Sequence, residues 1–166
     1  TLSAPHINLY GYYRRTMPKL TQMAQEGVWF ANMFSNSTVT KESVPDILYS
    51  LPIDRYGGHQ NDSSVSEALI ALPESLRAAG FATAMFSTNS IAGPTWKSDQ
   101  GIDFFYERFG FKKDSKINPT VPIDDVVNWF RKHRNRPTFI YIHTAEPHDP
   151  YSPPDDFRGT FDISSE

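Results

Sequence analysis

Three times along this chain an amphipathic helical stretch runs almost directly into a short apolar segment. Residues 16–27 (TMPKLTQMAQEG) lead into 28–34 (VWFANMF), 72–80 (LPESLRAAG) into FATAMF, and 122–134 (PIDDVVNWFRKHR) into 138–143 (TFIYIH). Gly27 and Gly80 stand where a helix is expected to stop. A chain that keeps returning through a helix before its next strand builds a parallel sheet. The expected fold class is therefore α/β, a partial αβα sandwich with a mainly parallel sheet. With 166 residues, 39% of them hydrophobic, it has material for one ordinary core.

Finer features follow from the punctuation. Thr16 is the expected N-cap of the first helix, with Leu20, Met23 and Ala24 on one side. Ser43 and Asp46 have capping-box spacing, with Pro45 in the first turn, so a helix is expected to begin just after Thr40. Val44, Ile47, Leu48 and Leu51 would be its buried stripe. The stretch from Ser87 to about Pro122, broken by Gly93, Pro94, Gly101, Gly110 and Pro119, reads as an excursion over the sheet without core elements. After residue 143 the prolines of TAEPHDPYSPPDDF oppose further regular structure.

Composition removes several function classes. Sixteen basic against nineteen acidic side chains, net −3, give no broad basic field, so nucleic acid is not an expected partner. With no cysteine there is no disulfide, thiolate metal site or Cys nucleophile. No apolar run approaches the roughly 20 residues a membrane-spanning helix needs. The opening TLSAPHINLYGYY lacks an initiator Met and a signal-peptide pattern, and reads as part of something longer.

Ligands of open parallel sheets sit beyond the carboxyl ends of the strands. The loops leaving those ends would start near Ser35, Ser87 and Thr144, bringing Thr40, Asn89 and His148 together if the strands are neighbours. Thr40 at the mouth of a helix has a hydroxyl where unpaired amides can cradle an anion, although the same pattern also serves an ordinary strand-to-helix turn. Lys41 either neutralises a bound oxyanion or is solvated, and Ser43 reads as the cap. His148, between Pro147 and Pro150, either presents its imidazole to an anionic substrate or bonds to its own loop. His143 closes a strand as a core-edge residue or a ligand, and Asn89 belongs to a turn or to the site. His6, His59 and His133 read as surface or capping residues, and the clusters RFGFKKDSK and FRKHRNR as solvated faces or helix ends.

Taken in order, these motifs resemble the sulfatase family of the alkaline phosphatase superfamily. TLSAPHINLYGYYRRTMPKLTQMAQEGVWFANMFS is similar to its first block, TVTKESVPDILYSLP to its nucleophile block and LPESLRAAGFATAMFSTN to a later strand entry. DQGIDFFYER and RPTFIYIHTAEPHDPYSPP resemble its "GFD" and "PH-x-PY-x-PP" segments. The resemblance implies an alkaline phosphatase-like fold and an incomplete N-terminal domain over 1–166, lacking the first strand and the C-terminal metal-binding half. It places Thr40 at the nucleophile, also a metal ligand, and His148 at a substrate-contacting position. Lys41, Asn89 and His143 become substrate-binding candidates, with Ser43 the competing nucleophile register.

It further implies a divalent cation (Ca, Mg, Zn or Mn) in the parent protein, an anionic ester substrate and an extracytoplasmic or periplasmic location. The chain departs from the family where Glu42 and Val44 replace Pro and Arg, where Ser3 and Pro5 replace an Arg and an acid, and where a Lys-x-His pair is missing. Oxidising Thr yields a ketone, so Thr40 cannot become the formylglycine aldehyde of classical sulfatases. The expected activity is hydrolysis of sulfate or phosphate-type esters by the parent, with this chain alone inactive. The alternatives are a Thr-nucleophile phosphoryl or phosphonate ester hydrolase or transferase, and a non-catalytic binding module.

Overall fold

The computed structural model describes residues 2–56, 65–107, 120–149, 151 and 153–160. His59 and the RFGFKKDSK segment lie outside the described residues, as does most of the Gly-rich connection after residue 56. The chain divides into two compact units, 1–35 and 36–166.

The first unit holds two single-turn helices, Ala4–His6 and Asn8–Tyr10, and α1, Pro18–Glu26. Asn8 ties it together: its side-chain amide donates to the carbonyls of Tyr12 and Arg14, and its Oδ1 accepts from Met17 N at 3.3 Å. The helix begins one residue later than the sequence implies. Met17 is the N-cap, and the Thr16 hydroxyl donates instead to His6 O at 2.6 Å. No residue of α1 is buried, so Leu20 and Met23 form no covered stripe. Residues 28–34 are not a strand. A strand requires a neighbour for its N–H and C=O groups, and the described residues of this unit contain no other; Val28, Phe30 and Phe34 are exposed.

The second unit contains α2 (Thr40–Tyr49), α3 (Ile53–Tyr56), α4 (Leu72–Ala78), β1 (Ala82–Ser87), β2 (Phe104–Glu107), α5 (Ile123–His133) and β3 (Thr138–His143). The sheet order is β2-β1-β3 with both pairings parallel, Ala84 opposite Phe104 and Ala82 opposite Thr138. The parallel α/β expectation holds for the α4–β1 and α5–β3 units. What is corrected is the reading of the stretch after Ser87 as an excursion without core elements, because it contains β2, a strand of the sheet that the breakers around it concealed.

Every residue of β1 is buried, as expected of a central strand covered on both faces. On one face Met85 packs with Val44, Leu48 and Tyr49 of α2, and with Phe139 and Tyr141 beside them. On the other, Ala84 and Phe86 pack with Val126 and Trp129 of α5. Alternation along β1 thus sends one set of side chains to each helix layer.

The second helix also corrects the sequence reading. The Val39 carbonyl accepts from both Glu42 N and Ser43 N, which starts the helix at Thr40 and leaves Ser43 inside it. Ser43 is therefore not a cap, and its hydroxyl donates to Ser37 O at 3.0 Å. Pro45 lies within the helix rather than in its first turn. In this frame the buried arc comprises Val44, Pro45, Asp46, Leu48 and Tyr49. Ile47 falls outside it, at 55% exposure.

Candidate active site

Parallel pairing of β1 with β3 brings Ser87 level with His143. The two chains stay joined beyond the sheet. Thr88 N donates to His143 O at 3.0 Å, and Ala145 N donates to the Thr88 hydroxyl at 2.9 Å. Thr88 is fully buried and Ala145 nearly so. One side chain thus fastens the loop carrying Asn89 to the loop carrying His148.

Past that junction each loop folds on itself. Asn89 Oδ1 accepts from Ile91 N at 2.9 Å, an Asx turn, while Ser87 Oγ bonds both the amide and the carbonyl of Asn89. His148 N donates to Ala145 O at 2.7 Å. The His148 ring bonds Asp149 O through Nδ1 at 2.8 Å. A carbonyl only accepts, so Nδ1 carries the hydrogen of that bond.

His143 is partly buried on β3, with the Tyr141 hydroxyl 3.3 Å from its Nδ1 on the same strand face. Burial holds the His143 imidazole below its ordinary 6.5 and pushes the Tyr141 phenol above 10. A neutral ring at that position acts by hydrogen bonding, not as a fixed positive charge.

Thr40 and Lys41 open α2, both partly exposed, and Val39 caps the helix without a side-chain bond. The first amides of a helix have no acceptor within it, and they carry the positive end of its dipole. The far end of α2 is anchored. The Tyr49 hydroxyl donates to Lys97 O at 2.7 Å, with Gln100 Oε1 at 3.2 Å. Next to Gln100, Gly101 O accepts from Thr83 Oγ1 at 2.7 Å near the amino end of β1. Burial and three nearby carboxylates, Glu74 first, push the Tyr49 phenol up to about 12, so it stays a donor.

The structure joins Asn89, His143 and His148 through Thr88 and brings Thr40 and Lys41 to the start of α2. Among the described residues no hydrogen bond links that second pair to the first three. Two positioning residues, Thr88 and Tyr49, went unnoticed in the sequence. A Thr directly after a strand and a Tyr one place past a helix's apolar stripe were the available signals. Among the described residues no group of three or more His, Cys, Asp or Glu side chains could hold a metal ion. They do not form a metal centre by themselves.

The sulfatase family model matches residues 1–166. The chain belongs to the sulfatase family. Its fold is alkaline phosphatase-like, as three solved structures show. A protein solved with its substrate D-glucosamine-2-N,6-O-disulfate is 20% identical, with a TM-score of 0.72 over 91% of this chain and 33% of that one. The phosphonate monoester hydrolase of Agrobacterium radiobacter is 14% identical, with a TM-score of 0.74 over 93% of this chain and 40% of that one. The C-terminal periplasmic domain of EcEptC from Escherichia coli, solved with Zn, is 18% identical, with a TM-score of 0.66 over 96% of this chain and 46% of that one. This sulfatase-family chain therefore spans between a third and a half of the length of each. Among curated proteins no sequence matches it. No helix among its described residues is long and apolar enough to cross a membrane.

Proposed function

We propose that this sulfatase-family chain carries the nucleophile, Thr40, and a substrate-contacting imidazole, His148, of a hydrolase acting on sulfate or phosphate-type esters. The observation that supports the reading is the position of Thr40 as first residue of α2, whose other end, Tyr49, is tied to the loop that precedes β2, while the His148 loop leaves the carboxyl end of β3. There the Thr40 oxygen would attack the sulfur or phosphorus while the helix amides and Lys41 hold its oxyanions. The bond to the alcohol oxygen would break as that oxygen takes a proton from the protonated His148 ring, and water would then release the acid from Thr40 and give the proton back to His148. Asn89 and His143 would hold the substrate by hydrogen bonds.

Thr40 must also lose its own proton, and among the described residues no carboxylate or imidazole is hydrogen-bonded to it. A divalent cation (Ca, Mg, Zn or Mn), with Thr40 among its ligands, is the family expectation for that task. The Zn complex of one structural neighbour supports it. The periplasmic domain among the neighbours supports an extracytoplasmic location.

Threonine itself favours a second reading, transfer or hydrolysis of phosphoryl or phosphonate esters. A phospho-threonine can be hydrolysed, whereas Thr40 cannot form formylglycine and a sulfated threonine would be a stubborn ester. The phosphonate monoester hydrolase among the neighbours supports this reading. In the full-length protein Thr40→Ala should abolish turnover while leaving the fold intact; an unchanged rate would refute the assignment. Screening aryl sulfates, phosphodiesters and phosphonate esters separates the two chemistries. Absence of turnover on all three, together with no divalent-metal binding, would leave the non-catalytic binding module.

A further inference from the structure

We propose that the cavity beside His148 receives the alcohol part of the ester, and that its walls select an uncharged, apolar group over a polyanionic sugar. This rests on the role given to His148 above. The cavity has a volume of about 500 Å³, and His148 and Glu146 line it together with Tyr151 and Phe157. That size suits a small-molecule group. If His148 protonates the leaving oxygen, the carbon skeleton attached to that oxygen begins at this cavity.

The walls offer few N–H donors to the hydroxyls of a sugar. Pro147, Pro153 and Pro154 also line the cavity, and proline has no N–H to offer a hydroxyl. The two aromatic rings are 73% and 66% exposed at Tyr151 and Phe157. Ring faces of this kind stack on a flat apolar partner. The Phe157 side is held in place by its own turn: Phe157 N donates to Pro154 O at 2.9 Å, and Arg158 Nε bonds Pro153 O at 3.3 Å and Asp155 Oδ1 at 3.0 Å. The Glu146 carboxylate on the lining opposes any further negative group on the alcohol.

The test uses the full-length protein and two esters of whichever acid it hydrolyses, one of 2-naphthol and one of N-sulfated glucosamine. The wild type is expected to favour the naphthyl ester in kcat/KM, and the Tyr151→Ala/Phe157→Ala double variant to lose about tenfold or more of that preference. Glu146→Gln is expected to narrow the gap from the other side by improving the sulfated sugar ester. Calorimetric titration with 2-naphthol reads the cavity without turnover, and binding should persist in Thr40→Ala. An active Thr40→Ala enzyme that still binds naphthol would sink the nucleophile assignment and leave the cavity proposal standing. A wild type that binds no naphthol, because the remainder of the protein fills the cavity, would overturn the proposal. Equal preference in wild type and double variant would do the same.

Discussion

Tyr49→Phe removes one oxygen and tests whether the far end of α2 is anchored as described. The ring is 6% exposed, so its packing with Val44, Leu48 and Met85 is retained in Phe. What is lost is the donor to Lys97 O at 2.7 Å, leaving a carbonyl and the Gln100 amide oxygen without it. Such a loss costs about 1–2 kcal/mol, or roughly 2–6 °C in Tm for a domain of this size. The pH dependence supplies a sharper signature. A phenol near 12 in the folded state against 10 when unfolded contributes stability that is complete below pH 10 and lost as pH rises through 12.

At pH 11 the folded phenol would be about one-tenth ionised and the unfolded one about ten-elevenths. The wild type should therefore lose on the order of 1 kcal/mol relative to pH 8, a loss absent from the variant. Urea denaturation of both proteins at pH 8 and pH 11 measures this, the difference between them cancelling the other tyrosines. Equal stability at pH 8 together with a parallel alkaline loss would refute the anchor. Should the anchor also orient Thr40, the variant's kcat in the full-length protein falls more than its KM changes.

Three further outcomes are expected. Thr88→Val leaves the Ala145 amide without its buried acceptor, which should cost about 1–3 kcal/mol and raise hydrogen exchange at that amide. Gly101→Ala should destabilise by about 3 kcal/mol in thermal unfolding, because φ is +82° and the added Cβ would lie 2.3 Å from the Glu74 backbone nitrogen. For His143, whose folded-state ionisation is depressed by burial, stability is complete above pH 6.5 and falls as the solution is acidified through the lower folded value. His143→Gln should flatten that acid limb, and an unchanged limb in urea melts between pH 7 and pH 5 would argue against a buried neutral imidazole.

How much could be read from the sequence depended on whether the determining interaction was local. The strand at 138–143 and the helices Leu72–Ala78 and Ile123–His133 announce themselves by periodicity, breakers and charges at their ends, all properties of neighbouring residues. Phe104–Glu107 has only four residues among glycines and turns, and becomes a strand because β1 supplies its partners. The reverse held for 28–34, whose aromatic content invites a strand but whose unit provides no ladder. At Ser43 the capping-box spacing suggested a cap, and the Val39 carbonyl set the helix start four residues earlier. The local settings of Thr40 at a helix start, Asn89 in a turn and His143 at a strand end were legible, whereas the bond of Thr88 to Ala145 was not, since its partner lies 57 residues away.

The central place of β1 also sets a kinetic order. Its partner on one side lies 20 residues along the chain, Ala84 to Phe104, and on the other 56, Ala82 to Thr138. Closing the longer span costs about 0.6 kcal/mol more for each doubling of length, so on loop closure alone β2 is expected to pair with β1 before β3 does. The segment bearing His148 reaches the rim only once that longer span has closed.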